Sequence, residues 1–173
     1  PGFYIQNRTL RDYRYPNAAH VLGSIGEVSQ AMIDKDDYYK RGDYAGRDGL
    51  EYTYEKELRG EKGVEILLRD AKGRIKGKYE NGKHDIPPKA GKNLITTLDI
   101  QLQIIGEQLL AGKVGGIVAI EPSTGEILAM VSSPTFVPSS LVGRQRTHNY
   151  AKLVKDPTKP LLNRATQAQY SPG

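Results

Sequence analysis

The sequence contains no cysteine and no tryptophan, and it has two phenylalanines. Without cysteine there can be no disulfide and no thiolate-bound metal, which excludes disulfide scaffolds and cysteine–zinc modules. No apolar run reaches the ~18 residues that a membrane-spanning helix needs. The chain opens on Pro1-Gly2, without the charged start and apolar stretch of a secretory signal. We therefore expect any targeting or anchoring segment to lie outside these 173 residues.

Positive charge is in excess: 25 Lys and Arg against 20 Asp and Glu give a net charge of +5. Residues 60–92 hold much of it, with seven Lys and two Arg against three Glu and two Asp. A stand-alone basic module that binds nucleic acid or an anionic surface is therefore one reading of the chain. Because no nucleic-acid-binding motif accompanies the charge, we favour a solvated hairpin face and expect no nucleic-acid partner.

The first half of the chain predicts a helix over Asp48–Gly60. Asp48 can cap its amides, and Glu51 completes a capping box. We predict that Glu55 and Lys56 face water, while the core face carries three apolar residues at helical spacing. These are Leu50, Tyr54 and Leu58. The flanking elements are predicted as a short helix at Glu27–Ile33, strands at Val64–Arg69 and Arg74–Tyr79, and a linker at Ile86–Gly91.

The second half predicts a short strand at Asn93–Thr97 and a helix from the Asp99 cap to about Ala111. The apolar face of this helix is predicted to consist of Leu102, Ile105 and Leu109. Gly116–Glu121 and Glu126–Ser132 predict a hairpin, and their almost continuous apolar character predicts a sheet covered on both faces. A loop at Ser133–Asn149 and a short helix at Ala151–Asp156 complete the prediction.

The residues by themselves do not form a recognisable catalytic constellation. Gly77–His84 resembles a phosphate-binding loop, but His84 replaces the required Ser or Thr and no helix pattern follows. His20, His84 and His148 are too scattered for a metal site, and we expect His20 to pack near the turn at Gly23 and Gly26. None of the eight serines is followed by a lysine three residues later. We therefore assign no catalytic, cofactor-binding or metal-binding residue, and we expect no cofactor.

Several segments nevertheless form an ordered pattern across nearly the whole chain. They are Tyr13–Pro16 with Ala19–Gly26, Gly46–Glu51 with Tyr54 and Leu58–Gly60, Gly91–Gln103, Ala119–Pro134, and Pro160–Ala165 with Tyr170–Gly173. In this order and at these separations they resemble the class B penicillin-binding proteins. The resemblance implies an α+β fold. Residues 1–90 would form most of a non-catalytic pedestal, or dimerisation, domain. Residues 91–173 would begin a transpeptidase domain of the penicillin-binding, β-lactamase-like fold, which this chain leaves incomplete.

The resemblance implies a parent enzyme, of elongation rather than division type, that cross-links peptidoglycan stem peptides in cell-wall synthesis and cell-shape maintenance. Its serine would form an acyl-enzyme with the D-Ala-D-Ala carbonyl, and β-lactams would acylate the same serine. In this family the Ser-x-x-Lys motif directly follows a segment like Tyr170–Gly173. We therefore expect the chain to be a fragment that ends just before the nucleophile and is itself inactive.

The resemblance also implies a location and partners. The parent would sit at the periplasmic face of the cytoplasmic (inner) membrane, held by an anchor that this chain lacks. It would bind stem peptides and β-lactams, and its pedestal would contact other membrane proteins of cell-wall synthesis. Because the strands at 116–132 are apolar and would lack their neighbours, we further expect the isolated chain either to self-associate or to be marginally folded beyond Gly91, with residues 1–90 comparatively ordered.

Overall fold

A computed structural model of the protein describes residues 11–169. The chain forms two compact units: the first runs to Thr53 and resumes at Thr96, and the second is Tyr54–Ile95. Helices and strands are mixed, and the described strands form three two-stranded antiparallel sheets. The α+β class is confirmed. The domain boundary predicted between residues 90 and 91 remains a prediction, because compact units and family domains divide a chain by different criteria.

The first part of the first unit contains three short helices and one small sheet. The helices are α1 (Ala19–Leu22), α2 (Gln30–Lys35) and α3 (Gly49–Thr53), and the sheet pairs β1 (Ile25–Glu27) with β2 (Tyr44–Gly46). The helix predicted at 27–33 therefore begins later, because Glu27 belongs to a strand. Val28, Tyr39 and Ala45 form a small core, against which Met32, Ile33 and Tyr38 pack.

The helix predicted over residues 48–60 is interrupted at Tyr54, which has φ −109° and ψ 25° and separates α3 from α4 (Glu55–Leu58). Its predicted core face is wrong, since Tyr54 is exposed while Leu50 and Leu58 are half-buried. Glu55, predicted to face water, is half-buried as well. A 3.6-residue period places residues on one face only through an unbroken helix. The interruption at Tyr54 removes that condition.

The second unit contains α4 and a hairpin of β3 (Leu67–Arg69) and β4 (Ile75–Lys78), so both strands are shorter than predicted. A 3₁₀ turn at Tyr79–Gly82 follows. Residues 86–91 are not a free linker, because the backbones of Ile86 and Lys89 bridge to Val64 and Glu61. Two prolines exclude a regular strand there but leave the amides of residues 86 and 89 free to pair.

The rest of the first unit is built on a helix and a hairpin, followed by irregular turns and two more helices. These elements are α5 (Ile100–Leu109), β5 (Gly115–Ile120), β6 (Ile127–Ser133), 3₁₀ turns at Pro138–Leu141 and Gly143–Gln145, α6 (Arg146–Lys155) and α7 (Arg164–Gln167). The Asp99 cap is confirmed, since its carboxylate accepts from the amides of Gln101 and Leu102. The predicted strand at 93–97 is absent from these described residues. Helix α6 begins five residues earlier than predicted.

The buried face of α5 differs from the prediction: Leu102, Ile105 and Leu109 are exposed, whereas Gln103 and Gly106 are buried. A Cβ added at Gly106 would lie 2.7 Å from Cγ2 of Val131, so glycine allows the helix to approach β6 closely. The β5–β6 hairpin is confirmed, but its predicted coverage on both faces is wrong. Val118 and Ile120 of β5 are 41% and 55% exposed, whereas Ala129 and Val131 of β6 are buried.

A second core connects α1 with the end of the first unit. It consists of Ala19, Phe136 and Leu141, with Leu153 and Leu161 packed against it. These residues come from α1, from the segment after β6, from α6 and from the approach to α7. The early segment at residues 17–22 is therefore held by side chains more than a hundred positions later, which positions the polar groups described next.

Candidate functional site

A buried amide on α5 organises the polar groups at the centre of the first unit. Gln103 is 1% exposed. Its Oε1 accepts from the Met130 amide at 2.9 Å, and its Nε2 donates to the Met130 carbonyl at 3.0 Å. The side chain thus pairs with the outer edge of β6 as a neighbouring strand would. Nearby, Thr97 Oγ1 and the Asp99 amide donate to the carbonyls of Ile127 and Leu128.

The hydrogen bonds of the Gln103 amide continue through Glu107 to residues near the start of the described chain. Gln103 Nε2 lies 2.9 Å from Glu107 Oε1, and this oxygen also accepts from the Ala18 amide at 2.8 Å. Asn17 Nδ2 donates to the other carboxylate oxygen at 2.5 Å. Ala18 has a left-handed backbone, φ 60° and ψ 26°, which is unfavourable for a residue with a Cβ. Glu107 therefore helps to hold a strained segment against α5.

Ser132, at the end of β6, fixes the segment that leads into α7. Its hydroxyl donates to the Leu162 carbonyl at 3.0 Å and accepts from the Arg164 amide at 2.9 Å. Asn163 caps α7 by accepting from the Ala165 amide at 3.1 Å. A Cβ at Gly116 of β5 would lie 2.9 Å from the Ala165 nitrogen, so the segment sits directly on the hairpin. Ser132, Leu162 and Arg164 are called the Ser132 clamp below.

His20 connects α1 to two later loops. Its Nε2 lies 3.0 Å from the Pro160 carbonyl and its Nδ1 lies 3.3 Å from Thr135 Oγ1, while its ring packs edge-on against Phe136. Since a carbonyl only accepts, Nε2 carries the proton and Nδ1 accepts from Thr135. Burial lowers the pKa of His20. The expected structural role fits these contacts, although the ring packs on Phe136 rather than on the predicted glycine turn.

Glu51, predicted as a capping residue, is instead a buried carboxylate with half-buried partners. Its carboxylate pairs with Arg11 Nε at 2.9 Å and accepts from the Tyr13 hydroxyl at 3.3 Å. Burial and the charge of Glu51 raise the pKa of Tyr13 well above its usual range. The predicted cap Asp48 accepts from the amide and the hydroxyl of Ser24. Glu51 and Asp48 therefore bind residues that are distant in the sequence, instead of capping the start of the helix.

Within residues 11–169 no serine hydroxyl is hydrogen-bonded to a histidine or a lysine; Ser24 and Ser123 donate to the carboxylates of Asp48 and Glu121. Ser132 bonds to backbone atoms, His84 pairs with Glu80 at the surface, and His148 lies on exposed α6. The described residues contain no group of three or more His, Cys, Asp or Glu that could hold a metal ion.

Gln103, Glu107 and Ser132 were missed by sequence reasoning. The i, i+4 spacing of Gln103 and Glu107 on one side of the helix is the signal that could have identified two of them.

No helix in the described part of the chain has both the length and the apolar character needed to cross a membrane.

Comparison with known proteins identifies the family to which the chain belongs. A model described as the penicillin-binding protein dimerisation domain matches residues 1–96, and one described as the penicillin-binding protein transpeptidase domain matches residues 115–173. The peptidoglycan D,D-transpeptidase MrdA of Acinetobacter baumannii is 40% identical over 100% of this chain and 26% of that protein.

Solved structures agree with this match. The complex between the penicillin-binding protein PBP2 and MreC from Helicobacter pylori matches with a TM-score of 0.73 at 29% identity, over 90% of this chain and 29% of that one. Pseudomonas aeruginosa PBP2 in complex with WCK 5153 matches with a TM-score of 0.69 at 34% identity, over 90% and 30%. The chain thus spans between a quarter and a third of the length of these relatives. A stand-alone basic binding module finds no support here.

Proposed function

Because the chain belongs to the penicillin-binding protein family, we propose that it forms part of a peptidoglycan D,D-transpeptidase, of elongation type, that acts in cell-wall synthesis and cell-shape maintenance. The observation that carries the proposal is the match of both domain models, in order, along one chain. A named D,D-transpeptidase that is 40% identical across the whole chain supports the same activity. In this proposal residues 1–90 belong to the dimerisation domain and residues 91–173 to the transpeptidase domain.

The proposed reaction is acyl transfer through a serine ester. The nucleophile attacks the D-Ala-D-Ala carbonyl of a stem peptide and D-Ala leaves. An amine of a neighbouring strand then attacks the ester and restores the serine. From the family resemblance we infer that the Ser-x-x-Lys motif follows a segment like Tyr170–Gly173, so in this proposal residues 1–173 support the nucleophile.

These residues would support the nucleophile by fixing the position of the main chain that precedes it. The Ser132 clamp and the Asn163 cap hold the segment at 162–167 on the β5–β6 hairpin, a few residues before that motif. A nucleophile must be held within about half an ångström of its productive position by surrounding residues whose own positions are fixed. A buried hydroxyl that donates to one backbone atom and accepts from another is suited to this task, because it restrains the main chain directly.

The proposal includes a location and partners. The protein would work at the periplasmic face of the cytoplasmic membrane, on peptidoglycan stem peptides, and would be acylated by β-lactams. The Helicobacter pylori relative was solved in complex with MreC. This supports the proposal that the present protein also assembles with another protein of cell-wall synthesis.

The test uses the whole protein that contains this chain, incubated with a fluorescent penicillin. We expect one covalent adduct per molecule, located by peptide mass mapping at the serine that follows Gly173. Replacement of that serine by alanine should abolish the adduct, and the unmodified protein should release D-Ala from a pentapeptide substrate. A correctly folded protein that forms no adduct and releases no D-Ala would show that the proposal is wrong. If the protein instead bound DNA in a salt-sensitive way, the interpretation as a basic binding module would be favoured.

A further inference from the structure

The unit Tyr54–Ile95, called the inserted unit below, adds no residue to either core of the structure. Both core clusters are drawn from the first unit. All 42 residues of the inserted unit are described, and none of them is buried. A two-stranded hairpin without a hydrophobic partner is marginally stable in water. The inserted unit therefore presents surface that its own packing does not use.

The strand register gathers this surface on one face of the hairpin. Leu67 pairs with Lys78 and Leu68 with Gly77, and the Tyr79 amide donates to the Ile66 carbonyl. Val64 bridges to Ile86. Since alternate residues of a strand share a face and cross-strand partners lie side by side, one face collects five large apolar side chains. This apolar face consists of Val64, Ile66, Leu68, Tyr79 and Ile86, all of them exposed.

The opposite face is occupied by ion pairs. Lys78 Nζ lies 2.7 Å from Glu65 and 3.1 Å from Asp85, and Lys89 Nζ lies 2.9 Å from Glu61. The Arg69–Ile75 pairing past the bulge places Ile75 on this side as well. The two faces therefore differ in chemistry. On one face the charged side chains pair with one another, and the other face is apolar.

The charges around the hairpin do not cancel. Of the acids between residues 61 and 85, four pair with a lysine or an arginine of the unit, namely Glu61, Glu65, Asp70 and Asp85, and Glu80 lies 3.1 Å from Nε2 of His84. By contrast, the side chains of Lys72 and Lys83, in the turns at the two ends of the hairpin, form no ion pair with any residue in the range 11–169. The rim of the hairpin thus carries unmatched positive charge beside an uncovered apolar face.

We propose that this apolar face is a docking surface for another protein, and that the docking element is an amphipathic helix with Asp and Glu along its flanks. Exposed apolar patches with polar rims mark protein-interaction sites. Unmatched cations at the rim select acidic flanks. The proposal goes beyond the transpeptidase function and does not require that activity.

A helix fits the face better than a second copy of this chain. The five residues from Val64 to Leu68 span about 13 Å in an extended backbone, which is a little more than two turns of a helix. Gly77 lies opposite Leu68, and a Cβ added there would meet nothing within 4 Å, so the face has room for a side chain of the partner. Two copies meeting through this face would bring two cationic rims together, which is unfavourable.

The first test measures binding of two synthetic helical peptides to the whole protein that contains this chain. Both peptides have about 18 residues and the same leucine face, with either Glu or Lys on the flanks. We expect the Glu-flanked peptide to bind and added salt to weaken it. Leu68→Ser should reduce its affinity roughly tenfold. The matched control is Ile75→Ser, because the two side chains are 47% and 48% exposed but lie on opposite faces. Thermal melting of both variants checks that they fold.

Equal losses from Leu68→Ser and Ile75→Ser, or equal binding of the Lys-flanked peptide, would contradict the proposal. Self-association that Leu68→Ser abolishes would assign the face to a second copy instead. A second test compares maleimide labelling of Leu68→Cys and Ile75→Cys in the whole protein, with the labelled peptides identified by mass spectrometry. Similar rates support an open face. Protection of position 68 alone would show that the protein covers the face itself and would overturn the inference. Penicillin labelling of the same sample reports separately on the proposed transpeptidase.

Discussion

Replacing Gln103 by leucine tests whether the buried amide holds helix α5 against strand β6. Leucine has nearly the same volume, so the substitution removes the polar contacts without opening a large cavity. Three groups lose a partner: the amide and the carbonyl of Met130, and Oε1 of Glu107. The Glu107 oxygen keeps its bond from the Ala18 amide. The two backbone groups of Met130 therefore dominate the expected cost.

Each buried backbone group left without a partner costs about 1–3 kcal/mol. Two such groups give an expected loss of about 2–6 kcal/mol in the free energy of unfolding. The added apolar surface of leucine offsets part of this loss, since a fully buried leucine contributes about 1.5–3 kcal/mol relative to an exposed one. We therefore expect a net destabilisation of about 1–4 kcal/mol, concentrated at the outer edge of β6.

Urea unfolding followed by far-UV circular dichroism measures the total, and amide hydrogen exchange locates it. The Met130 amide should lose protection first, because its acceptor has gone. Gln108→Leu is the matched control, since Gln108 lies on the same helix with an exposed side chain, and it should change stability by less than about 0.5 kcal/mol. Equal effects of the two variants, or unchanged exchange at Met130, would refute the reasoning.

Three further predictions concern the other polar contacts. The unfolded chain binds a proton at His20 as pH falls through about 6.5, whereas the half-buried native ring stays neutral to lower pH. Stability should therefore decrease from about pH 7.5 to 5.5, and His20→Gln should reduce that decrease in urea titrations. Tyr13 should ionise at a higher pH than an exposed tyrosine. In an alkaline spectrophotometric titration, Tyr13→Phe should therefore remove the last part of the rise in tyrosinate absorbance, and an unchanged last part would contradict this prediction. Ser132→Ala should cost about 1–3 kcal/mol and expose the Arg164 amide to exchange, whereas exposed Ser139→Ala should do neither.

Elements that depend on neighbouring residues were predictable. The β5–β6 hairpin follows from two apolar runs around Pro122–Gly125, and the start of α5 follows from the Asp99 cap. These signals act over a few residues, so they survive in almost any tertiary context. The ordered segments also predicted the family, because they reflect the whole chain and not one contact. Boundaries were less certain, as the early start of α6 shows.

The candidate site was not predictable in the same way. Gln103 and Glu107 are visible as a helical pair, but their partners Asn17, Ala18 and Met130 lie 27 to 90 positions away along the chain. Ser132 likewise meets Leu162 and Arg164 across about 30 positions. Hydrogen bonds of this range depend on how the elements pack, and no periodicity in the sequence encodes them.

The faces of the helices show most clearly what tertiary structure decided. The sequence by itself determined that residues 100–109 form a capped helix, since capping and propensity are local. It favoured Leu102, Ile105 and Leu109 as the buried face, but Gly106 permits close contact with Val131 and Gln103 satisfies the edge of β6. Burying the Gln103 face pairs two backbone groups that would otherwise lack partners, and it leaves the three apolar residues exposed. Local chemistry thus determined the helix, and the hydrogen-bonding requirements of a distant strand determined how it is turned.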